Sequence, residues 1–402
     1  MMRYEQAMID LSRPTDSGAV YEIALYRDDG QRLMILDRVE SFVATRVANN
    51  VGEFSVILPA DFDFSLLRPE QQVFISRKPS GGIKKRVWAG LIKQIDSSFG
   101  ETGIRSLSIS GPDFNSILAS RVLVGELTPT VTGTVESILH TYIPRHLFTS
   151  GGTNYAFWPV AFEPAGGGQR TNLFTTDCPH HNGMPSITYG IIARSSILDW
   201  LTELCAYLKN HSTPTDLYFD FWPAEVNVFE FRTYLNQPGR NATIGQPGAI
   251  MFSADNGNLT SIAYQEDYRN EINMLYKLNS GSNFANLEPF STATLGFATY
   301  GDSAGRYASS MYSIHNGFVM ISADTNVDQD SKKALKEGRP LKKLTGNVKS
   351  VPGSIYGIDW EFGDRVNVKF DGRIFETIIK AVTFGVDNSG REILEAAVEI
   401  TL

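Results

Sequence analysis

The sequence contains one pattern that is typical of a serine nucleophile, Gly301-Asp302-Ser303-Ala304-Gly305. This Gly-x-Ser-x-Gly spacing matches the nucleophile elbow of hydrolases, in which a buried strand leads into the serine and a helix follows it. Only Thr299-Tyr300 precede the pattern, and residues 306–310 show no helical stripe. Such spacing is also common in loops rich in Gly and Ser. We therefore interpret the segment as a loop and predict no catalytic serine.

A second candidate is a short stretch of metal-binding side chains, Cys178, His180 and His181. A structural zinc site usually needs four ligands in two spaced pairs. No second pair accompanies this stretch, and the other histidines, at positions 140, 146, 211 and 315, are scattered. A polar loop is the better interpretation, although metal binding at an interface stays open. Pairing of Cys178 with Cys205 also stays open but is disfavoured in a reducing compartment.

The remaining chemical groups form no catalytic constellation. Acidic pairs such as Asp61 with Asp63, or Glu266 with Asp267, lack neighbours that would make one residue an acid and the other a base. The sequence has no Walker loop, no Gly-x-Gly-x-x-Gly and no Cys-x-x-Cys. The basic run from Lys332-Lys333 to Lys342-Lys343 is preceded and interrupted by acidic residues, as on a solvated surface. We predict no catalytic residues, no cofactor, no bound metal and no enzymatic activity.

Length and composition narrow the class of protein. The 402 residues are 42% hydrophobic and carry a formal charge of −8, and at ~100–200 residues per domain this length predicts two to four domains. The negative charge argues against a protein that reads nucleic-acid sequence. No apolar run reaches a membrane span of ~18 residues, and residues 1–13 lack the apolar stretch of a signal peptide. With only two cysteines, we expect a soluble protein of a reducing compartment.

Most of the chain before residue 118 predicts short strands. Tyr21–Tyr26 and Arg32–Leu36 flank Asp29-Gly30, a turn typical of a β-hairpin. Further strands are predicted at Gly52–Leu58, Gln72–Ser76, Val87–Ile95 and Arg105–Ser110. Short strands at regular spacing favour a small barrel or sandwich.

Two amphipathic helices are predicted downstream. Thr134–Ile143 has an apolar stripe at helical spacing, and Pro144 predicts its end. The second helix begins after Ser196, whose spacing to Asp199 matches a capping box, and continues to Leu208. We interpret both as core helices rather than grooves for a partner, because one apolar face is what any packed helix shows.

The rest of the chain predicts a long loop followed by more strands. Residues 148–188 are rich in Gly, Pro, Thr and Asn without periodicity, which indicates a functional loop, a contact arm or partial disorder. Residues 328–344 predict a polar helix ending near Gly338-Arg339-Pro340, and residues 346–402 predict strands and turns. Strands are also predicted at Leu217–Phe221, Asn227–Leu235, Leu259–Tyr264 and Asn273–Leu278.

The last part of the chain repeats the first. Trp88–Ser110 aligns without a gap with Phe375–Ala397, each residue matching the one 287 positions later. Residues 72–75 likewise match 365–368, with a longer hairpin tip (residues 78–85) in the first copy. The alternation of apolar residues also agrees, so we predict two related units that would let a ring hold twice as many units as subunits. The identical pairs are Ile92 and Ile379, Lys93 and Lys380, Gly103 and Gly390, and Leu107 and Leu394.

Several of these segments resemble tail hub proteins of long-tailed, siphovirus-like bacteriophages. The opening domain of that family is similar to the segments Gly52–Pro59, Leu66–Pro69, Val73–Ile75 and Val87–Ile92. Ser253–Tyr264 and Asn273–Tyr276 resemble the middle of the family, and Phe362–Val368 resembles its recurring Gly-Asp-x-Val turn and strand. The first copy has Glu70-Gln71 at that turn, which leaves the turn type there open.

The resemblance implies a mainly β (α+β) fold with two tail-tube-like antiparallel β-barrels and helical or mixed insertions. It implies a homotrimeric hub of the tail tip or baseplate, whose six barrels form a pseudo-sixfold ring that continues the hexameric tail tube. The implied location is the virion tail tip, after assembly in the cytoplasm of the host bacterium. DNA would cross the hub only in transit at ejection, and an acidic lumen would not trap its phosphates.

The resemblance also implies partners and a division of the chain. The partners are other copies of the chain, a distal tail protein, the tail tube or tape-measure protein, and a tail fibre or spike, with indirect contact to the host envelope. The implied parts are an N-terminal arm (1–17), a first barrel (18–122), a helical insertion with the long loop 148–188 (123–215), a discontinuous second barrel (216–290 and 345–402) and a peripheral insertion (291–344).

Two other functions stay open from the sequence. A distal tail ring or receptor-binding tail component would also be rich in strands, and sixfold instead of threefold symmetry would identify the distal ring. A tail-associated cell-wall hydrolase would depend on Ser303, so changing that serine to alanine would abolish its lytic activity.

Overall fold

The computed structural model describes residues 8–27, 30–99, 105–123, 130–147, 184–190, 195–210, 215–226, 228–267, 269, 274–279, 317–322 and 341–401. Strands far outnumber helices in these residues, which confirms the predicted mainly β class. The chain forms two compact units. The larger comprises Met1–Cys205, Asp216–Ile262 and Thr345–Glu399, and the smaller comprises Ala206–Thr215, Ala263–Leu344 and Ile400–Leu402. The five-part division above stays a prediction.

The strands and helices are numbered in chain order. The first strands are β1 (Ile9–Asp10), β2 (Val20–Tyr26), β3 (Arg32–Leu36), β4 (Arg38–Val39), β5 (Ser41–Val47), β6 (Glu53–Leu58), β7 (Gln72–Lys78), β8 (Lys85–Leu91), β9 (Gln94–Phe99), β10 (Arg105–Pro112), β11 (Thr130–Thr134) and β12 (Ser186–Gly190). The later strands are β13 (Leu217–Glu225), β14 (Val228–Leu235), β15 (Met251–Ser253), β16 (Leu259–Asp267), β17 (Met274–Asn279), β18 (Gly317–Ser322), β19 (Leu341–Val348), β20 (Arg365–Phe370), β21 (Arg373–Val386) and β22 (Glu392–Thr401). The helices are α1 (Asn115–Ser120), α2 (Val135–Leu147) and α3 (Ile197–Asn210).

The main feature of the fold is a sheet of ten strands. Its order is β16-β19-β22-β21-β5-β6-β10-β9, and β20 attaches to β21 and carries β15. β15 and β20 run parallel, which departs from an all-antiparallel barrel. A parallel pair needs a long connection, and the chain between the two strands supplies it. The sheet is open at β16 and β9 in the described part of the chain.

A second sheet packs over the first part of this large sheet. Its order is β3-β2-β7-β8. Trp88 on β8 lies against Phe54 on β6, with ring centroids 4.8 Å apart, and Tyr21 on β2 meets Phe42 on β5 edge to face at 5.0 Å. Strict alternation on the strands sends these aromatic rings into one core between two layers.

Three of the sequence predictions for local structure are confirmed in detail. The β2–β3 hairpin forms at Gly30, which has a φ of 83°. The hydroxyl oxygen of Ser196 accepts a hydrogen bond of 3.0 Å from the backbone N–H of Asp199, so Ser196 caps α3. The strand predicted at Arg105–Ser110 forms as part of β10.

Other local predictions are corrected. Residues 87–95, predicted as one strand, form β8 and β9 with a corner at Ile92-Lys93, and residues predicted as strand near 118 form α1. A helix of six residues is too short to show periodicity. Helix α2 continues beyond Pro144 to Leu147, because the one backbone bond that proline removes falls in its last turn and the buried stripe before it holds the helix.

The remaining differences concern segments without a clear pattern. The long loop predicted at 148–188 ends in β12, which pairs with β11, and β5 was not predicted because Ser41–Val47 mixes polar and apolar residues. The predicted polar helix 328–344 ends in a strand, since β19 begins at Leu341, and its earlier residues lie outside the described residues.

Candidate assembly edges

The two copies predicted from the sequence have the same strand register. In the β9–β10 hairpin Leu107 lies opposite Ser97, and in the β21–β22 hairpin Leu394 lies opposite Phe384. Every one of the six residue pairs in the first hairpin has its counterpart 287 positions later. Register sets which side chains face the core, so this agreement makes the hairpins equivalent units of structure.

The equivalence extends to the strand before each hairpin. Residues 72–75 of β7 pair with 91–88 of β8, and residues 365–368 of β20 pair with 378–375 of β21 in the same order. In both copies an Ile-Lys pair follows: Ile92-Lys93 forms a corner between two strands, and Ile379-Lys380 lies at a register shift within β21. These two identical residues therefore stand where the chain changes its pairing partner, from β7 to β10 in the first copy and from β20 to β22 in the second.

The turn at Glu70-Gln71, whose type the sequence did not determine, is the same as the corresponding turn in the second copy. The Glu70 N–H donates to the Ile92 carbonyl at 2.8 Å, and the Gly363 N–H donates to the Ile379 carbonyl at 3.0 Å. Glu70 has a φ of 68° and Gly363 a φ of 86°, so both residues occupy the left-handed region. Glutamate thus adopts in the first copy a conformation that favours glycine.

Gly90 has a packing role in the Trp-Ala-Gly-Leu-Ile stretch that resembles the tail hub family. Gly90 forms a bridge to Asp113. A Cβ atom on Gly90 would lie 2.2 Å from the Pro112 carbonyl oxygen and 2.8 Å from the Asp113 Cα. Only glycine allows this close approach of the two backbones, which joins the end of β10 to β8.

The two copies are joined head to tail within the large sheet. The first copy contributes the order β5-β6-β10-β9 and the second contributes β16-β19-β22-β21, and β21 pairs with β5. At this joint the Thr45 and Thr383 hydroxyls are hydrogen bonded at 2.9 Å. A Cβ atom on Gly385 would lie 2.1 Å from the Phe42 carbonyl oxygen, so the joint is closely packed.

The strand equivalent to β21 in the first copy is an exposed edge. β9 pairs with β10, and the described residues provide no strand on its other side. Phe99 is 73% exposed, whereas its counterpart Val386 is fully buried. Three exposed or half-exposed positions on β9, Ile95, Ser97 and Phe99, correspond to three fully buried positions on β21, Val382, Phe384 and Val386.

A buried ion pair fixes the first copy to the second. Arg77 on β7 holds the Glu392 carboxylate with its Nε 2.8 Å from Oε1 and its Nη2 3.2 Å from Oε2. The Tyr21 hydroxyl donates to the same carboxylate at 2.6 Å, and the Tyr356 carbonyl accepts from Arg77 Nη1 at 2.8 Å. Burial, and then the charge of Glu392, hold the pKa of Tyr21 well above its usual value.

In β5, β6, β9, β10, β22 and the part of β21 that pairs with β5, the face of the large sheet that points away from the core is rich in hydroxyl groups, and we call it the hydroxyl-rich face. Its acidic residues are Glu53, Asp96 and Glu395, and no Lys or Arg occurs among the residues described on it. The face comprises Ser41, Val43, Thr45, Glu53, Ser55, Ile57, Gln94, Asp96, Ser98, Ser106, Ser108, Ser110, Ala381, Thr383, Ile393 and Glu395. Its potential is therefore weakly negative.

Those residues singled out for chemistry that the structure describes are not gathered into a site. Ser303, Cys178, His180 and His181 lie outside the described residues. In the described part of the chain no three side chains of His, Cys, Asp or Glu converge in a metal-binding group. Asp63 accepts from the Ser65 N–H at 2.9 Å as a turn residue, and Asp267 binds Arg269, which lowers the pKa of Asp267 to about 2.

Cys205 is a free thiol beside Asn49. Burial, with a smaller contribution from Asp216, raises the pKa of Cys205 to about 12, so the thiol is held in its unreactive protonated form. None of the helices described has the length and apolar content needed to span a membrane.

The comparisons with known proteins point to phage tails. The family model for Siphovirus ReqiPepy6 Gp37-like protein matches residues 22–398. No curated protein sequence matches the chain. The 43 kDa tail protein of prophage MuSo2 from Shewanella oneidensis has a similar structure, with a TM-score of 0.54 and 13% identity over 94% of this chain and 98% of that one.

Two further solved structures share the fold. The tail protein from Neisseria meningitidis MC58 has a TM-score of 0.51 and 12% identity, covering 94% of this chain and 96% of that one. The prophage tail protein gp18 from Listeria monocytogenes EGD-e has a TM-score of 0.50 and 13% identity, covering 94% of each chain. At such low identity the likeness establishes the fold, and it agrees with the resemblance found in the sequence.

Proposed function

Since the chain belongs to the Siphovirus ReqiPepy6 Gp37-like protein family and has the fold of phage tail proteins, we propose that it is the homotrimeric hub of a phage tail tip. The role is structural rather than enzymatic. Its place is the virion tail tip, after assembly in the host cytoplasm. The observation that carries the proposal is the head-to-tail order of the two copies in one open sheet.

Head-to-tail joints propagate from subunit to subunit. Within one chain β21 of the second copy pairs with β5 of the first. By the same relation, the free β9 of one chain pairs with β16 of the next, since β16 takes the place of β5 in the order of the second copy. A heterologous contact of this kind forms a closed ring when its rotation closes, and closure removes both exposed edges.

The symmetry of the tail tube that the ring continues sets the number of chains in the ring. Three chains bring six four-stranded units, which match the sixfold symmetry implied for the tail tube. The two tail-tube-like barrels implied by the family resemblance are then completed by neighbouring subunits. The division into an arm, two barrel regions and two insertions belongs to this proposal.

The hydroxyl-rich face supports a role in DNA passage. If this face lines the lumen of the ring, its acidic residues and its lack of described Lys or Arg side chains prevent strong binding to phosphates. Many phosphate contacts would slow the DNA at ejection. The partners above and below the ring are a distal tail protein, the tail tube or tape-measure protein, and a fibre or spike, which contacts the host envelope.

Native mass spectrometry with negative-stain class averages tests the proposal. We expect the mass of three chains and a threefold ring. A sixfold ring would instead identify a distal tail component, and a strict monomer at all concentrations would contradict strand pairing between copies.

A variant of the free edge tests the joint itself. Phe99→Glu combined with Ser97→Lys places charges at two positions whose counterparts in the closed joint are fully buried. We expect this variant to stay folded but to lose the trimer, because both side chains are exposed in the single chain. Ile244→Glu is the matched control, since Ile244 is 56% exposed, lies outside the strands of the proposed joint and should leave the trimer intact.

A further inference from the structure

A small cavity in the larger unit is lined by four cationic side chains. Its volume is about 70 Å³. The hairpin tip that is longer in the first copy forms one wall, and the segment 356–362 of the second copy forms the other. The cations are Arg46, Arg77, Lys85 and Arg86, and Glu361 is the acidic residue on the wall.

Most of the positive charge around this cavity is already paired. Arg77 binds Glu392, Lys85 binds Glu361, and Arg46 Nη2 binds Asp220. Four cations against three carboxylates leave one positive charge without a counter-ion.

Arg86 carries the charge that is not paired. Its Nη1 donates to the Pro223 carbonyl at 2.6 Å, and its guanidinium carbon lies 4.2 Å from the centre of the Phe74 ring. No carboxylate among the described residues bonds to it. Burial lowers the pKa of Arg86 from its usual value, but the group stays charged at any physiological pH.

We propose that this cavity binds one small oxyanion, of the size of inorganic phosphate or a single carboxylate group. Arg86 would supply the charge and its planar fork of donors. The volume fits one group of this size. Because the walls come from both copies, a bound anion would also hold the hairpin tip against segment 356–362. This inference is independent of the oligomeric state.

Thermal unfolding of the full-length protein in sodium phosphate tests the site, with sodium chloride at equal ionic strength as the reference. We expect phosphate to raise the melting temperature in a saturable manner. Sodium acetate is run in parallel to separate a phosphate site from a carboxylate site. Stabilisation by either anion supports an oxyanion site, and stabilisation by neither would overturn it.

Variants locate the effect. Arg86→Met should weaken the apparent affinity at least tenfold, and Arg86→Lys, which keeps the charge but loses the planar fork, should fall between Arg86→Met and the wild type. Arg373→Gln is the control, because Arg373 is an exposed arginine on β21 that does not line the cavity. Circular dichroism establishes that each variant is folded. Equal stabilisation of all variants would place the binding elsewhere and overturn the proposal.

Discussion

Arg77 and Glu392, 315 residues apart, form an ion pair whose two side chains are only 2% and 3% exposed. The pair joins β7 of the first copy to β22 of the second. A buried charge without its partner is strongly unfavourable, whereas an apolar pair of similar volume can be tolerated. The intact pair therefore contributes little to the net stability of the fold. It couples the two copies because removing only one of its members is strongly destabilising.

Replacing one member of this pair should strongly destabilise the fold. We expect Glu392→Ala to lower the free energy of unfolding by about 3–5 kcal/mol, because it leaves the Arg77 guanidinium buried without its carboxylate. Urea denaturation followed by tryptophan fluorescence measures the change. The double variant Arg77→Met with Glu392→Leu should recover part of the loss, and a double variant as unstable as the sum of the two single variants would contradict the coupling.

The sequence was sufficient to predict the repeat but not the way its copies combine. The spacing of Ile92-Lys93 and Ile379-Lys380 identified equivalent positions, because register and turn chemistry are local properties. The joint between β21 and β5 depends on strands more than 330 residues apart, and no local pattern in Ser41–Val47 identifies its partner. Likewise, the Arg77–Glu392 pair leaves no signal in the spacing of charges along the chain.

The aromatic core of the first copy gives a second prediction. Trp88 is fully buried against Phe54, and its Nε1 donates to the Thr45 carbonyl at 3.2 Å. Trp88→Ala should lower the free energy of unfolding by about 3–5 kcal/mol, because it creates a large cavity and leaves a buried acceptor without its donor. Chemical denaturation measures the loss. Trp88→Phe fills most of the volume and should cost clearly less.

A third prediction concerns the pH dependence of stability at Asp113. Its carboxylate accepts from the Gly52 N–H at 2.9 Å and from the Asn115 N–H at 3.0 Å. Burial is the main reason that the pKa of Asp113 lies well above its usual value of 3.8, although these bonds act in the opposite direction. The folded state therefore keeps the Asp113 proton to a higher pH than the unfolded state does.

The sign of the effect follows from that difference. The charged form of Asp113 destabilises the fold at neutral pH, and the penalty disappears as the pH falls through the raised pKa towards 3.8. The wild-type protein should therefore gain stability relative to Asp113→Asn as the pH is lowered from 7 to 4.5. Asp63→Asn is the control, because a hydrogen bond from Ser65 lowers the pKa of Asp63 below 3.8. Its effect on stability therefore changes only at lower pH, and its difference from wild type should stay constant in this range. A constant difference between wild type and Asp113→Asn would contradict the assignment.

The last prediction compares the two equivalent turns. Glu70 and Gly363 have the same backbone hydrogen bonds and a positive φ, but only glycine adopts that conformation without strain. Glu70→Gly should raise the free energy of unfolding by up to about 1 kcal/mol. Gly363→Ala should lower it by about 2–4 kcal/mol, since its Cβ would lie 2.6 Å from the Pro238 Cβ in addition to the strain.

Loss of the ion pair between Glu70 and Lys93 is the competing effect in the first turn. Both side chains are 47% exposed, so the pair contributes little. Lys93→Gln removes the pair without changing the turn and serves as the control. If Glu70→Gly were less stable than Lys93→Gln, the turn at residue 70 would not be strained and the two turns would not be equivalent. If Glu70→Gly is more stable than Lys93→Gln, the turn at residue 70 is strained and has the same backbone conformation as the glycine-containing turn at residue 363.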